Sequence, residues 1–492
     1  MDAGETTLVA TLTTAPSDAE LASLAGLGVG WLEVRADLLG DLDPAPLRRR
    51  FAGRLLYTLR SRDEGGAFAG GEAERGRRLA AAAAAGYDLV DLEVERDCRT
   101  RVLAAVPPSR RLLSWHGAIG DAGELERRFA DLTRHRARYY KLIPFARRLS
   151  DGLAVLRLLR AVARRDAVIF AAGDAGAWTR PLAPRFGCPL IYGSLGQVPG
   201  APGQLSVGRL ARDYGLPQLP PVERLYGIAG NPVLHSLSPR LHNGAYRALD
   251  LAALYLPFHV ESFADFWLEV VESGELEDLG LPLAGLSVTA PHKEVALAVA
   301  SVASPRAERV GAANTLVRAD GSWAAETTDP EGASAALARA GIELAGAAAA
   351  VVGCGGAGRA AAYGLRLAGA RVALVNRSEE RGRAAAKELA LPFVPLADFD
   401  PGRYAVVVHA TSLGHRPDDP LPFDVAALAP EAAVLDLVYG EHPTPLQAAV
   451  EQRGLRFVGG REVLLFQALE QFRLMTGRAL DEDLARRLLD RG

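Results

Sequence analysis

Apolar and polar positions over the first 215 or so residues fall into a repeating beat, in which short β-rich runs alternate with longer stretches of helical composition. Eight runs stand out: TLVATLTT from Thr7, GWLEVRAD from Gly30, RLLYTLRS from Arg54, LVDLEVE from Leu89, RLLSWH from Arg111, YYKLIPF from Tyr139, AVIFAAG from Ala167 and PLIYGSL from Pro189. Eight strands alternating with helices predict an α/β fold, a (β/α)8 TIM barrel. Polar residues give an independent check on this expectation. Glu33, Arg35, Arg60, His116, Lys141 and Arg180 fall within or just after the ends of the runs, on the face where such barrels build their sites. The alanine run Ala80 to Ala85 reads as a tightly packed helix.

The beat breaks at GLPQLPPVERLYG, where three prolines between Pro217 and Pro221 make a short stiff linker. The expected boundaries are a barrel over 1–218 and a linker over 219–224. LYGIAGN, LYLPFHV and GLSVTAP then predict an α/β substrate-binding domain over 225–330. In AAAAVVGCGGAGRAAAYGLRLAGARVALVNR the order is strand, glycine turn, helix and second strand. That order predicts a Rossmann dinucleotide-binding domain over 331–478, and residues 479–492 are expected to form a helix packing back on the substrate domain.

Length and composition narrow the function. At 492 residues, with 49% apolar and 23% charged, the chain reads as two or three globular cores. A net charge of -3 leaves no broad cationic field for nucleic acid or an anionic membrane. Clustered arginines are therefore local sites for small anions, and the partners expected are small molecules. No apolar run approaches the ~20 residues that span a bilayer, and the opening MDAGETTLVATLTT has neither a basic start nor a signal core. Cys98, Cys188 and Cys354 are widely spaced, without metal-ligand clustering, so no metal is expected and a reducing cytoplasm is the simplest setting. A monomer or a homodimer is expected.

The chemistry-bearing residues of the front half begin with Lys141, inside an apolar strand. Burial lowers a lysine pKa, and a neutral amine attacks a ketone to form a Schiff base. Alone, Lys141 reads as a lysine snorkelling from a strand edge; paired with His116 at the end of the preceding strand it reads as chemistry. Arg35, Arg60 and Arg180 at adjacent strand ends would converge on a carboxylate. The segments EVRAD, TLRSRDEGG, SWH, YYKLI and APGQ, in this order, resemble the type I 3-dehydroquinate dehydratases. The resemblance implies that Lys141 forms an imine with the ring ketone and His116 removes the adjacent proton. It implies further that Glu64 orients His116, Arg180 clamps the substrate carboxylate, and Glu33, Arg35, Arg60 and Gln204 hold hydroxyls and ring. Gly200 departs from the family's frequent serine, putting one hydroxyl contact in question.

In the back half, Gly353, Gly355, Gly356, Ala357 and Gly358 form a GxGxxG turn between strand and helix, built for a diphosphate at a helix N-terminus. An NAD site usually carries an acidic residue ~20 positions on; here stand Asn376, Arg377 and Ser378, which suit a 2'-phosphate and hence NADP. NPVLHSLSPRLHN, SVTAPHKE, GAANTL, TTDPEG, HATSLG, DLVYGEHPTPL and GREVLLFQA together resemble shikimate dehydrogenase over residues 225 to about 478. That resemblance implies that Ser236, Ser238, Thr289, Asn314, Tyr439 and Gln467 surround the substrate. Thr411, Ser412 and Gly460 would join the cofactor site, and Lys293 and Asp329 would be the catalytic pair. Taken alone, Lys293 starts an ordinary helix and Asp329 reads as an N-cap. Departures from the family are Ser287 and His409 for asparagine, Thr327 for asparagine and Val463 for methionine.

Together the two resemblances imply consecutive reactions, dehydration of 3-dehydroquinate and NADPH-dependent reduction of 3-dehydroshikimate to shikimate. Three alternatives stand beside them. One is a quinate-oxidising catabolic fusion, another a catalytically inactive metabolite sensor, and the third a class I aldolase in the front half.

Overall fold

The computed structural model describes residues 6–120, 122–196, 198–440 and 442–490. Each of the eight runs forms a strand: β1 (Thr7–Leu12), β2 (Val29–Arg35), β3 (Arg54–Thr58), β4 (Leu89–Glu93), β5 (Arg111–Ala118), β6 (Tyr139–Phe145), β7 (Ala167–Ile169) and β8 (Leu190–Ser194). They are nearly continuous apolar runs because helices cover one face and the barrel interior covers the other. Neighbours pair in the order β7-β6-β5-β4-β3-β2-β1-β8, so the last strand returns to the first and the sheet rolls up. Register then sets the interior: Ser114 of β5 lies between Glu93 of β4 and Lys141 of β6. The alanine run ends the helix Glu72–Ala85, with Ala82 and Ala83 buried. The helix Leu149–Val162 buries Leu153, Val155, Leu156 and Leu159.

A second parallel sheet runs Phe393–Pro395, Arg371–Asn376, Ala348–Val352, Val406–His409, Ala433–Asp436, Arg456–Val458. The strand Ala348–Val352 feeds the helix Gly356–Leu367 through the glycine turn, the expected dinucleotide-binding grammar. Apolar clusters fill both faces of this sheet, one around Val351, Leu374 and Leu435, the other around Val352, Val375 and Val434. Upstream, Leu283–Val288 pairs antiparallel with Thr315–Ala319, which pairs in turn with Ser322–Glu326. Asp329 is the first residue of the helix Asp329–Arg339, and Thr328 before it takes the cap position expected for the aspartate. The C-terminal helix Glu482–Asp490 sets Leu488 against Gly244 of the helix Ser238–Ala248. Among the described residues no helix is long and apolar enough to cross a membrane.

Packing divides the chain into two units, Met1–Leu225 with Tyr246–Pro282, and Tyr226–Ala245 with Leu283–Gly492. The segment after the linker thus contributes to the barrel's unit. Arg148 and Arg157, on or beside the helix Leu149–Val162, pair with Glu269 at 2.8 Å and Glu275 at 3.0 Å. The fully buried Trp178 lies 5.7 Å, ring to ring, from Phe258. Exposed ion pairs contribute about 0–1 kcal/mol each, so the aromatic contact carries most of this join. Phe258→Ala is expected to destabilise the barrel's unit by about 3–5 kcal/mol, whereas Glu269→Ala costs under about 1 kcal/mol. Urea unfolding of the two variants followed by tryptophan fluorescence checks this, and equal midpoints would contradict it.

Candidate active sites

Two groups of polar side chains stand out, each inside one unit. In the barrel the organising residue is Arg60, just past β3 and 4% exposed. Its Nη2 donates to Asp91 Oδ2 at 2.6 Å, and its Nη1 donates to Glu64 at 2.9 Å and Ser114 Oγ at 2.9 Å, and lies 3.3 Å from Glu93. Behind it Arg75, buried in the helix Glu72–Ala85, forks onto Asp97 at 2.7 Å and reaches Glu93 at 3.2 Å. Burial opposes the charge on Arg60, and Asp91, Glu64 and Glu93 more than restore it. Burial would also raise Asp91, but Arg60 and Lys141 hold its carboxyl below the usual range.

Lys141 projects into this interior from β6. Its Nζ lies 3.7 Å from Glu33, 3.7 Å from Asp91 and 4.1 Å from the centre of the Tyr192 ring. Burial pushes the ammonium below the ordinary lysine range, with Glu33 and Asp91 opposing. Glu33 is itself held by Thr11 at 2.8 Å and Thr58 at 2.9 Å.

His116 Nδ1 is 2.9 Å from Glu64 Oε2, which also accepts from the His116 backbone N–H at 3.1 Å. Burial pushes the Glu64 carboxyl up. With Arg60 and a backbone N–H already on Oε2, that oxygen is an acceptor and the ring Nδ1 is the donor. Burial, joined by Arg60 and Lys141, holds the imidazole well below its ordinary pKa. His116 is therefore neutral, with Nε2 free to take a proton.

Arg180 is 3% exposed; among the described residues it donates only to the Tyr192 carbonyl at 3.3 Å, forms no ion pair, and its Nε has no partner. Burial pushes it down to about 10. A desolvated cation without an ion pair is a prepared seat for an anion. Arg35 forks onto Asp37 at 2.8 Å and donates to the Gly200 carbonyl at 2.6 Å. Gln204 donates to Thr11 at 3.1 Å and accepts from Gly200 N at 2.7 Å. Arg35 and Gln204 thus hold the 198–204 loop down. A Cβ at Gly200 would meet Thr11 Cγ2 at 2.7 Å, which accounts physically for the glycine where serine is frequent.

In the second unit, Lys293 Nζ donates to Asp329 Oδ2, and Asn314 Nδ2 donates to Asp329 Oδ1 at 2.7 Å. The pair lines a cavity of about 140 Å³ whose wall includes Ser238, Thr289, Asn314, Tyr439 and Gln467. Ser236 is buried, is not among the residues lining the cavity, and accepts from Ser238 N at 3.2 Å. Val463 and Gly460 also face the cavity. Ser287 donates to Gln471 at 3.0 Å, and Gln471 donates to the Asn314 carbonyl at 3.2 Å. The Thr327 hydroxyl is buried without a partner among the described residues.

The glycine turn is packed too closely for side chains: a Cβ at Gly358 would lie 2.0 Å from the Gly353 carbonyl, and Gly353 has φ +114. Gly355, by contrast, faces open space, leaving room at the N-terminus of the helix Gly356–Leu367. Gly356 lies beside Lys293, and Ala357 lines the cavity. Asn376 accepts from Cys354 N at 3.3 Å, which braces the turn. Ser378 caps the helix Glu379–Leu389. Arg377 is exposed and has no ion pair among the described residues, as a phosphate-binding guanidinium requires. This donor set fits a dinucleotide with an extra phosphate. Thr411 and Ser412 follow the strand Val406–His409, whose last residue is fully buried.

Sequence reasoning passed over Asp91, Glu93, Ser114 and Tyr192 in the barrel. Their signal was the i, i+2 spacing of Asp91 and Glu93 in one apolar run. It also passed over Gln471, one helical turn beyond Gln467 on the helix Gly460–Thr476.

The His116 environment predicts that its ring stays neutral below pH ~6.5, where a free imidazole is half protonated. Because the shift is downward, the charged form appears only at lower pH. An NMR titration of the His116 ring checks this, and a midpoint at or above ~6.5 would contradict the burial argument.

Residues 7–219 match the family model of type I 3-dehydroquinase, and residues 228–316 match that of the shikimate dehydrogenase substrate binding domain. The bifunctional 3-dehydroquinate dehydratase/shikimate dehydrogenase, chloroplastic, of Arabidopsis thaliana is 29% identical, with 93% of this chain and 79% of that protein covered. The shikimate dehydrogenase (NADP(+)) of Acidiphilium cryptum is 41% identical over 51% of this chain and 89% of its own length. Among solved structures, shikimate dehydrogenase from Aquifex aeolicus aligns with a TM-score of 0.50 at 30% identity, covering 54% of this chain and 97% of that one.

Proposed function

The chain belongs to the type I 3-dehydroquinase and shikimate dehydrogenase families, joined in one polypeptide, and from that premise we propose that it carries out two consecutive steps. It dehydrates 3-dehydroquinate to 3-dehydroshikimate and reduces that product to shikimate with NADPH. Residues 1–218 form the dehydratase, 219–224 the linker, 225–330 the substrate domain and 331–478 the NADP domain of the dehydrogenase. Three free cysteines support a reducing, cytoplasmic setting. The observation that carries the reading is one barrel holding a buried Lys141 with only long carboxylate contacts, a His116 hydrogen-bonded to Glu64, and a buried Arg180 with no ion pair among the described residues.

In the barrel, Lys141 Nζ adds to the ring ketone and water leaves, giving an iminium that is a better electron sink than the ketone. His116 Nε2 removes the proton from the adjacent carbon. The electrons pass into the enamine and return as the neighbouring hydroxyl departs, protonated by the same imidazole. Water then hydrolyses the iminium and frees Lys141. Glu64 keeps His116 in the Nδ1–H tautomer, Arg180 holds the substrate carboxylate, and Glu33 and Arg60 border the ring. Arg35 and Gln204 keep the 198–204 loop over the site.

In the second unit NADPH, when bound, supplies the hydride. The diphosphate belongs at Gly355–Gly358, with Thr411, Ser412 and Gly460 nearby, and Arg377 with Asn376 and Ser378 suits the 2'-phosphate. Lys293, held by Asp329, stabilises the developing alkoxide and gives it a proton. Ser236, Ser238, Thr289, Asn314, Tyr439 and Gln467 hold the carboxylate and hydroxyls.

With dehydroquinate and NADPH, Lys293→Met is expected to leave dehydration intact and let dehydroshikimate accumulate, while Lys141→Met stops flux at dehydroquinate. Borohydride added during turnover should trap an adduct on Lys141 in the wild type. No adduct, or one mapped elsewhere, excludes the Schiff base. Arg377→Ala should raise the KM for NADPH roughly ten- to hundred-fold, the worth of a charge-assisted contact, with little change for NADH. Equal losses with both cofactors would count against phosphate recognition.

A further inference from the structure

His409 and Asp436 end adjacent parallel strands and are direct partners in the ladder. Both are fully buried. His409 Nδ1 lies 2.9 Å from Asp436 Oδ1, and a carboxylate there makes Nδ1 the donor. The opposite ring nitrogen, Nε2, lies 2.6 Å from Thr411 Oγ1, and Thr411 accepts in turn from Leu413 N at 3.2 Å. Asp436 meanwhile accepts from Val438 N at 3.0 Å and from Thr444 Oγ1 at 2.7 Å.

These bonds join two loops. The first, 410–414, carries Thr411 and Ser412 and abuts the glycine turn: a Cβ at Gly353 would meet the Ala410 carbonyl at 2.5 Å. The second starts at Leu437, after the strand Ala433–Asp436, and contributes Leu437 and Tyr439 to the cavity wall. His409 does not line the cavity itself. Its two ring nitrogens point in nearly opposite directions, so one side chain fastens both loops where strand pairing has ended.

We propose that His409 is a positioning residue of the dehydrogenase. By bridging Asp436 and Thr411 it fixes the distance between the cofactor-side loop and the Tyr439 loop, and so the width of the pocket where the nicotinamide and the substrate ring meet. This role rests on reading the second unit as an NADPH-dependent dehydrogenase.

The test uses the full chain and three variants. His409→Phe keeps a ring but loses both hydrogen bonds, and is expected to weaken NADPH binding, read by nucleotide fluorescence, roughly ten-fold. The KM for dehydroshikimate should rise with it, while kcat falls less. Thr444→Val loosens Asp436 on the side away from His409 and is expected to give part of the same rise in both constants. His409→Asn, which can still donate to Asp436, should recover part of the loss. The dehydratase rate, measured on the same samples, should match the wild type in all three. A lowered melting temperature with NADPH affinity and KM within two-fold of the wild type would make His409 merely structural and overturn the proposal. A wild type that binds no NADPH is a different failure: it overturns the dehydrogenase reading, and this role with it.

Discussion

Charges taken out of water must be compensated inside the fold, and the barrel is arranged around meeting that cost at the buried Arg60. A guanidinium offers several donors in a planar fork and is less strongly hydrated than an ammonium. It can therefore satisfy Asp91, Glu64 and Ser114 at once and reach Glu93. The arrangement decides what remains for its neighbour. Asp91 lies 2.6 Å from Arg60 but 3.7 Å from Lys141, so the arginine takes the short bond and the lysine keeps only long contacts. Poor compensation leaves burial as the dominant influence on Lys141. An amine that gives up its proton easily is what imine chemistry needs, and burial, joined by Arg60, likewise pushes the His116 imidazole below its ordinary range.

The second unit treats its lysine in the opposite way. Lys293 has one intimate partner, Asp329, whose other oxygen is held by Asn314 at 2.7 Å. Asn314 is fixed in turn through its carbonyl by Gln471 and through its own contact with Thr328 N at 2.9 Å. Two lysines in one polypeptide thus sit in different surroundings, and the distance to the nearest carboxylate distinguishes them.

The eight strands and the strand–turn–helix of the dinucleotide fold were legible because each is a local pattern: a short apolar run with breakers, or glycines at fixed spacing. Lys141, His116, Lys293 and Asp329 were singled out through segments that resemble the two families, and the fold makes Lys293 and Asp329 direct partners and sets His116 on Glu64. Asp91 and Glu93 were not. On an open strand their alternation would read as a solvent face, and only closure of the barrel turns that face inward. The Arg35–Asp37 fork and the Ser378 cap are local, yet which of several polar partners a side chain takes depends on loop geometry. The packing of residues 246–282 with the barrel has no local signal, since Phe258 and Trp178 lie far apart in sequence and meet only in the folded unit. For the same reason the glycine at position 200 looked like a missing hydroxyl until Thr11 proved to occupy the space.

That discontinuous packing bears on how the protein is made. The barrel's unit is finished by Tyr246–Pro282, and the intervening Tyr226–Ala245 belongs with chain that follows residue 282. A ribosome delivers residues from the N-terminus onward, and domains ordinarily fold as they emerge. Here the eight strands can pair once residue 194 is free, yet Trp178 waits for Phe258 before its apolar cover is complete. Tyr226–Ala245 in turn reaches its full packing only when the chain beyond residue 282 has been made. Sequence order thus separates Trp178 from its ring partner Phe258 by a stretch of chain that packs elsewhere.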